Sequence, residues 1–326
     1  MRFSLLAILL SLFAIEASAS CDPSEQVIRL GTAPKYDTPA RVRGLASLTR
    51  AVNQELQGRA CLQIVGDDQL YSSALAITAL QSGSIELALP SFTELGTVAK
   101  EYQVFDLPFA FREDRTVRRF LVLSGDRLGE NLKQFNIRSL AIWQGHFEQI
   151  AAKRPIIKPE DIAGLKIAVG NNPIASEMID ELDGVEQSIP KDQLTAAVKE
   201  GRIDAEVTNW FALRDNKTAQ LHEGVTQTNH AYRGYVLVTS QTWWDGLTPS
   251  LKRPLAELIA RISKQTNFDA EQQQTNARRS IIRSGATVRG LTKHQRKVWQ
   301  ERLKYIWDDF ENRKLLEIVE QADRVL

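Results

Sequence analysis

Hydrophobic positions in the first third of the chain alternate between short β-type runs and helical periods. Segments 27–30 and 62–65 are strand-like runs, and segment 41–56 between them repeats apolar residues at helical spacing. A second helix-like segment, 72–80, stops before Gly83, and another strand-like run follows it. This order predicts a βαβαβ unit with a parallel sheet.

The same order returns in the middle of the chain. Three strand-like runs between positions 165 and 208 are separated by helical segments, the second of which ends at Gly201. One helix–Gly–strand junction is also similar in sequence between the two halves: residues 80–86 are LQSGSIE and residues 198–204 are VKEGRID. The repeat favours two α/β lobes of similar plan, although helix–Gly–strand junctions recur in many α/β proteins.

The C-terminal part has a different pattern. A charged stretch with few helix breakers predicts one long helix over about 250–284 that packs along both lobes, and a further helical segment over 293–310. Aromatic residues in this second segment, Trp299, Tyr305 and Trp307, are expected to be core anchors.

The N-terminus has the pattern of a secretory signal peptide over 1–19. Arg2 supplies the positive start, an apolar run covers 5–15, and the small residues Ala17, Ser18 and Ala19 precede the expected cleavage site. This pattern predicts export to the periplasm. A lipid anchor on Cys21 is the less favoured alternative, because Ser18 occupies a position where a large aliphatic residue is expected.

Two cysteines, Cys21 and Cys61, each lie just before a strand-like run. Disulfides persist in oxidising compartments, so this placement favours a bridge that fixes the mature N-terminus. The alternative is two unrelated buried thiols.

Charge and motifs restrict the function. A net charge of +1, with acidic and basic residues spread evenly, argues against nucleic-acid binding or a membrane-surface patch. The common signatures of hydrolases, metalloproteases, P-loop enzymes and dinucleotide-binding enzymes do not occur, and the 4 histidines lack metal-ligand spacing. The sequence therefore predicts a protein that is not an enzyme and needs no cofactor or metal.

Three motifs resemble the solute-binding proteins of tripartite ATP-independent periplasmic (TRAP) transporters, the dicarboxylate-binding (DctP) family. They are LPFAF at 107–111, PED at 159–161 followed by GLKI at 164–167, and TNHAY at 228–232. The resemblance implies a type II-like, two-lobed binding protein, monomeric, that closes around a small organic solute and delivers it to the small and large membrane subunits. A sensor with the same fold and no transporter is the alternative.

The resemblance also implies lobe boundaries. Lobe I is expected to comprise 22–142 and 230–266, and lobe II 143–229 and 267–326. Closure is expected to hinge near Trp143 and His230, where the chain passes between the lobes.

The sequence departs from the family pattern at the expected ligand anchor. The family's KIRV places an arginine on the ligand carboxylate, whereas this chain has Ala168, which offers neither charge nor paired N–H donors. The second arginine of the family's GFRQ is replaced by Glu148, and the family's DGQENP reads DAEVTN at 204–209. These changes predict a ligand other than a typical dicarboxylate.

Loops at the carboxyl ends of the predicted strands, together with the aligned positions, define a candidate cleft. Its residues are Tyr36, Asp37, Gln69, Ser91, Phe92, Glu94, Trp143, Phe147, Glu148, Ala168, Asn171, Asn172, Thr208, Asn209, Trp210 and Tyr235. This acidic and aromatic set favours a cationic or neutral solute. The alternative is that Glu148 is a solvated rim residue and that Arg154, Arg112 or Arg202 provides a displaced anchor.

Overall fold

The structure, a computed structural model, describes residues 21–32, 38–66 and 73–324. Its strands are β1 (Gln26–Gly31), β2 (Ala60–Val65), β3 (Leu87–Ala88), β4 (Ile137–Phe147), β5 (Gln149–Ala152), β6 (Lys166–Ala168), β7 (Val185–Gln187), β8 (Ala205–Thr208), β9 (Gly224–Gln227), β10 (Tyr232–Ser240) and β11 (Thr287–Gly290). The helices are α1 (Pro39–Glu55), α2 (Ser73–Gln81), α3 (Phe92–Leu95), α4 (Asp114–Lys133), α5 (Pro173–Glu181), α6 (Leu194–Lys199), α7 (Trp210–Asp215), α8 (Gln241–Gly246), α9 (Pro249–Arg283), α10 (Lys293–Arg302), α11 (Lys304–Asp308) and α12 (Arg313–Arg324).

The strands form two sheets, one in each half of the fold. The first has the order β2-β1-β3-β10-β4, and the second has the order β11-β9-β5-β8-β6-β7. Strands β1, β2 and β3 pair in parallel, as do β6, β7 and β8, which confirms both predicted βαβαβ units. Each sheet also contains an antiparallel strand, β10 in the first and β5 in the second, so both sheets are mixed.

The chain crosses between the sheets twice through short connections. Strand β4 pairs with β10 as far as Phe147, and β5 begins at Gln149, so Glu148 alone separates the sheets at the first crossing. The predicted boundary at Trp143 falls earlier, inside β4. The second crossing covers 228–231, and the predicted boundary lies between 229 and 230. Helix α12 packs on α4 of the first half, with Arg119 Nη1 donating to Ala322 O at 3.0 Å, although its residues were expected in lobe II.

Two glycines shape the β4–β10 pairing next to this crossing. A Cβ on Gly145 would lie 1.5 Å from Arg233 O, and one on Gly234 would lie 2.4 Å from the ring of Phe92. The register shifts between Arg233 and Tyr235, which is a β-bulge that bends the strand and re-aims its side chains. The glycines therefore allow the close backbone approach that places Arg233 at the end of the sheet.

Helix α9 connects the two halves, as the sequence predicted. Toward its N-terminus it packs on the first sheet, where Trp143 Nε1 donates to Ser263 Oγ at 2.7 Å and Asn267 Nδ2 donates to Ile142 O at 2.9 Å. Toward its C-terminus Ala277 and Ile281 pack in an apolar cluster of the second half. One helix thus contacts both sheets.

The Cys21–Cys61 disulfide is confirmed. It attaches the segment before β1 to the second residue of β2, which pairs with Val27 in register. Of the aromatic residues predicted as core anchors, Trp299 is fully buried, and Trp307 Nε1 donates to Pro108 O at 2.9 Å. The prediction for Tyr305 was wrong, because its side chain is 59% exposed on the short helix α11.

Candidate functional site

The two crossings lie side by side and bring β4, β5 and β10 together. Glu148 N donates to Ala231 O at 2.9 Å, and His230 N donates to Glu148 O at 3.3 Å. Because each crossing is held to the other by backbone hydrogen bonds, the side chains of Glu148 and of the residues that follow His230 have fixed relative positions.

An ionic cluster occupies this junction. Glu148 Oε1 lies 3.2 Å from Arg233 Nε and 3.5 Å from His146 Nε2. Arg233 and His146 are cross-strand partners on β10 and β4. Burial alone would raise the pKa of Glu148, but the contact with His146 and the charge of Arg233 outweigh it and lower that pKa. Glu148 is thus an ionised carboxylate inside the protein.

Arg233 is the group that the sequence reading missed. Its side chain is 28% exposed, whereas that of Glu148 is 8% exposed, although the Arg233 Nε that contacts Glu148 is itself buried. Burial would lower the pKa of Arg233, but Glu148, Asp106 and Glu94 raise it above its ordinary value. Its Nε has no aligned hydrogen-bond acceptor among the described residues, so its contact with Glu148 is mainly electrostatic.

Asp106 links the first half of the fold to the second. Its Oδ1 accepts from Thr93 Oγ1 at 2.9 Å and from Asn172 Nδ2 at 2.8 Å. Asn172 also caps α5, since its Oδ1 accepts from the backbone N–H groups of Ile174 and Ala175. Burial raises the pKa of Asp106 to about 6, against the lowering effect of Arg233 and the two hydrogen bonds.

A second arginine contacts the first sheet near Arg233, at Tyr235 of β10. The Cζ of Arg41, near the start of α1, is 4.1 Å from the ring centroid of Tyr235 on β10. Arg41 Nη2 donates to Thr32 Oγ1 at 2.8 Å and to Leu89 O at 3.3 Å. Arg41 and Arg233 thus place two guanidinium groups at the carboxyl ends of β1 and β3, where ligands of parallel sheets bind.

The predicted site residues of the first half fall into two groups. Tyr36, Asp37 and Gln69 lie outside the described residues. Ser91 caps α3, accepting from Glu94 N at 3.3 Å, while Glu94 Oε2 accepts from Ser91 N at 2.6 Å. Phe92 is fully buried and stacks on Phe105 with ring centroids 3.8 Å apart, which is the position of a core residue.

Trp143 and Phe147 are also buried. Trp143 packs between the first sheet and α9, and Phe147 packs edge-on against Tyr232 at a centroid distance of 5.0 Å. Neither ring is available to stack on a solute, so their contribution is to hold β4 and β10 in place beside Glu148.

The ligand-binding residues predicted in the second half of the fold are small or uncharged. Ala168 is buried with Ala197, Val198 and Ile203, and the side chain of Asn171 is exposed at the loop after β6. Thr208 is buried at the end of β8, and its hydroxyl has no hydrogen-bond partner in the part of the chain described.

Asn209 and Trp210 begin helix α7. Asn209 Oδ1 accepts from the backbone N–H groups of Phe211 and Ala212 at 3.1 Å. The indole of Trp210 is buried, with Arg278 of α9 5.7 Å from its ring centroid. Both side chains therefore have structural partners within the second half.

The arginines considered as displaced anchors are held elsewhere by local contacts. Arg154 Nη2 donates to Asp161 O at 2.8 Å, and Arg202 Nε lies 2.7 Å from Glu200. Arg112 lies 3.5 Å from the adjacent Glu113. The one sequence signal for Arg233 was its place directly after the TNHAY motif.

A second buried Glu–His pair lies within the second half. His222 Nε2 is 3.1 Å from Glu206 Oε1, and both side chains are almost fully buried. Glu206 is paired in register with Ala168 on β6 and with Ala151 on β5, so two small residues leave room for it. Glu206 Oε2 and His222 Nδ1 have no further hydrogen-bond partner among the described residues.

Comparison with known proteins identifies the family. Residues 35–314 match the bacterial extracellular solute-binding protein family 7, DctP. The chain belongs to this family. It is 29% identical to the C4-dicarboxylate-binding periplasmic protein DctP of Vibrio cholerae over 97% of this chain and 96% of that protein. It is 25% identical to the protein of the same name from Rhodobacter capsulatus, over 92% of this chain and 90% of that one.

Solved structures of TRAP periplasmic solute-binding proteins share the fold. One from Shewanella oneidensis with bound succinate has a TM-score of 0.82 at 22% identity, covering 92% of this chain and all (100%) of that one. One from Pseudomonas aeruginosa with bound L-malate has a TM-score of 0.75 at 22% identity, covering 87% and 99%. Within the described residues of this family 7 protein, no helix is both long and apolar enough to span a membrane.

Proposed function

We propose that this protein is the periplasmic receptor of a TRAP transporter, that it binds a small organic acid and delivers it to the membrane subunits, and that it catalyses no reaction. The observation that carries the proposal is the partly exposed guanidinium of Arg233 at the junction of the two sheets. A planar guanidinium matches a carboxylate through paired N–H donors and charge.

Arg233 would bind the solute carboxylate, a role that the methyl group of Ala168 cannot fill. It projects from β10, which is fixed by β4 on one side and β3 on the other. Arg41 stacks on Tyr235, two residues further along β10, and Asn171 is exposed in the loop after β6. Two relatives are named for C4-dicarboxylates, and two solved structures of the same fold hold succinate and L-malate, which supports a carboxylate ligand here.

The pairing of Glu148 argues against the cationic solute that the sequence favoured. That prediction treated Glu148 as an uncompensated negative charge in the cleft. With Arg233 at 3.2 Å, the charge of Glu148 is compensated, and the exposed member of the pair is positive. An incoming carboxylate would therefore meet Arg233 before it meets Glu148.

Calorimetry with succinate, L-malate, galacturonate and choline tests the ligand class. We expect binding of at least one acid and none of choline. Arg233→Ala should weaken binding of the acid by roughly a hundredfold or more, since losing one partner of a buried ion pair costs about 3–5 kcal/mol. Arg202→Ala is the matched control, because that arginine pairs with Glu200 on the surface. Tight choline binding, or acid binding that Arg233→Ala leaves intact, would contradict the proposal.

Delivery and closure need separate measurements. Uptake of labelled solute by vesicles that contain TRAP membrane subunits should require this protein, and binding without uptake would favour the sensor alternative. We also expect the two halves to close by rotation at the crossings Glu148 and 228–231. Small-angle scattering should then give a smaller radius of gyration with saturating acid, and an unchanged radius would count against closure.

A further inference from the structure

We propose that the hydrogen bond between Asp106 and Asn172 is a latch that holds the two halves in the arrangement seen here before any solute binds, and that it contributes to solute affinity. The latch would operate whichever solute binds and whichever residue anchors it, so it goes beyond the proposed function. It gives a role to two residues, one on each side of the junction.

The latch joins the two halves directly. Asn172 Nδ2 donates to Asp106 Oδ1 at 2.8 Å, and both residues are buried, with 4% and 5% of their surface exposed. Among the described residues, no other hydrogen bond between two side chains joins 21–147 directly to 149–227. Elsewhere the halves are linked by the crossings, by α9 and the C-terminal helices, and by apolar contacts.

Each partner is fixed within its own half. In the first half, Asp106 Oδ1 also accepts from Thr93 Oγ1 at 2.9 Å, and Asp106 directly follows Phe105, whose ring stacks on Phe92. In the second half, Asn172 Oδ1 accepts from two backbone N–H groups in the first turn of α5, at 3.1 and 3.2 Å. Because neither side chain can turn away without losing these contacts, the latch fixes the halves relative to one another.

An open form, in which the halves are rotated apart at the crossings, would break the latch. Such a rotation moves α5 relative to α3, whereas an N–H···O hydrogen bond keeps its strength only over about 0.5 Å of donor–acceptor distance. The acceptor is a carboxylate with a pKa of about 6, and hydrogen bonds to ionised groups are the stronger class. Loss of the donor should therefore raise the ratio of open to closed protein by about tenfold or more.

The latch also bears on how tightly a solute is held. Asn172 lies in the loop after β6, next to the exposed Asn171, so the latch keeps this loop of the second half against the first. A solute that binds between closed halves has an apparent affinity proportional to the fraction of protein that is closed. Loss of the latch should therefore weaken binding by the factor by which the closed fraction falls.

The first experiment needs no solute. Asn172→Asp keeps an oxygen to cap α5 but replaces the donor by a second carboxylate facing Asp106. Spin labels on Val122→Cys of α4 and Val185→Cys of β7, both at exposed positions, report the distance between the halves by electron paramagnetic resonance. At pH 8, well above the pKa of about 6 for Asp106, Asn172→Asp should populate a second distance at least ten times more than the wild type does.

Exchanging the two residues distinguishes the latch from a general loss of structure. In the double variant Asp106→Asn with Asn172→Asp, donor and acceptor trade places, the net charge is that of the wild type, and the amide oxygen at 106 can still accept from Thr93. The wild-type distance should return. A double variant that folds but keeps the second distance would overturn the proposal, as would a single variant with the wild-type distance alone.

Asn209→Asp is the matched control. Asn209 caps α7 in the same half, its Oδ1 accepting from two backbone N–H groups at 3.1 Å, and it makes no side-chain hydrogen bond to the first half among the described residues. This variant should keep the wild-type distance, and an equal change in it would assign the effect to helix capping and overturn the latch. If Asn172→Asp does not fold, Asn172→Ser, which keeps a capping hydroxyl but lacks the amide, provides the same test.

Calorimetry tests the consequence for binding, with succinate or the acid that binds in the ligand screen. Asn172→Asp should weaken binding by the factor by which the closed fraction falls, and the double variant should restore it. Acid binding with no change of distance in Asn172→Asp would disprove the latch and leave the receptor function intact. The expected distances without binding of any acid would remove the proposed function and support the latch.

Discussion

The two buried Glu–His pairs, Glu148 with His146 and Glu206 with His222, have the same chemistry and different surroundings. The first lies where the sheets meet, and a partly exposed guanidinium shares its carboxylate. The second is enclosed between β8 and the segment before β9, with alanines at the two register positions beside Glu206. A carboxylate with two partners retains one of them when the other is removed, whereas a carboxylate with a single partner in a closed interior is left with none.

The largest expected difference between the pairs is in stability. His222→Leu keeps a similar side-chain volume but leaves Glu206 buried without its partner, so the free energy of unfolding should fall by about 3–5 kcal/mol. Urea unfolding measures the change. The neighbouring Glu223→Ala removes only an exposed ion pair with Arg289 and should cost at most about 1 kcal/mol. Equal effects of the two variants would mean that burial does not distinguish them.

Two titratable groups near the Glu148–His146 pair, His230 and Asp106, should make the stability of the fold depend on pH. The folded-state pKa of His230 is lowered from 6.5 to about 4, so its titration destabilises the fold as pH falls through that range. The pKa of Asp106 is raised from 3.8 to about 6, so its protonation stabilises the fold over a similar range. The two effects oppose one another in the wild type.

Variants should separate these effects. His230→Gln should gain stability relative to the wild type between pH 7 and pH 4, on the order of 2–3 kcal/mol, and Asp106→Asn should lose a similar amount. Unfolding curves at both pH values measure the difference. Parallel profiles for both variants and the wild type would contradict these assignments.

A smaller effect is expected at the first pair itself. His146→Leu should lower the free energy of unfolding by only about 1 kcal/mol, because Arg233 still compensates Glu148. The contrast with His222→Leu under the same urea conditions is the informative quantity. A loss as large as that at His222 would show that Arg233 contributes little to the charge balance.

The smallest expected effect lies on β8. Thr208→Val removes a buried hydroxyl that has no partner among the described residues, so the fold should gain about 0.5 kcal/mol. A loss of stability would indicate a bound water in the closed interior near Glu206. A selective loss of acid binding would instead place Thr208 in contact with the solute.

Local patterns were sufficient to predict much of the fold. The βαβαβ units follow from apolar spacing and from glycines at the ends of helices, and Gly83 and Gly201 have the positive φ that favours glycine there. The disulfide followed from two strand-entry cysteines and an oxidising destination. The antiparallel β5 and β10 were not predicted, because their pairing joins segments that are distant in sequence.

The site was predicted less completely for the same reason. Glu148 was identified from its own position, but its partner Arg233 comes from the other crossing and is adjacent only after folding. In the sequence, Arg233 reads as an ordinary polar position in a strand-like run. Phe92 follows a predicted strand, whereas Trp143 lies where the chain was expected to pass between the lobes. Both rings are buried, and no local pattern distinguishes such a ring from one that faces the cleft.

The glycines beside the bulge have a consequence for how this receptor can evolve. A side chain at Gly145 would collide with the backbone of Arg233, and one at Gly234 would collide with Phe92. Arg233 itself lies between these fixed points, with part of its side chain in solvent. In a library randomised at all three positions, selection for folded protein should therefore retain both glycines, and at 233 it should favour residues that still compensate the charge of Glu148. The scaffold thus fixes where the proposed solute anchor lies, and a change of specificity at 233 would need a compensating change at Glu148 to preserve the fold.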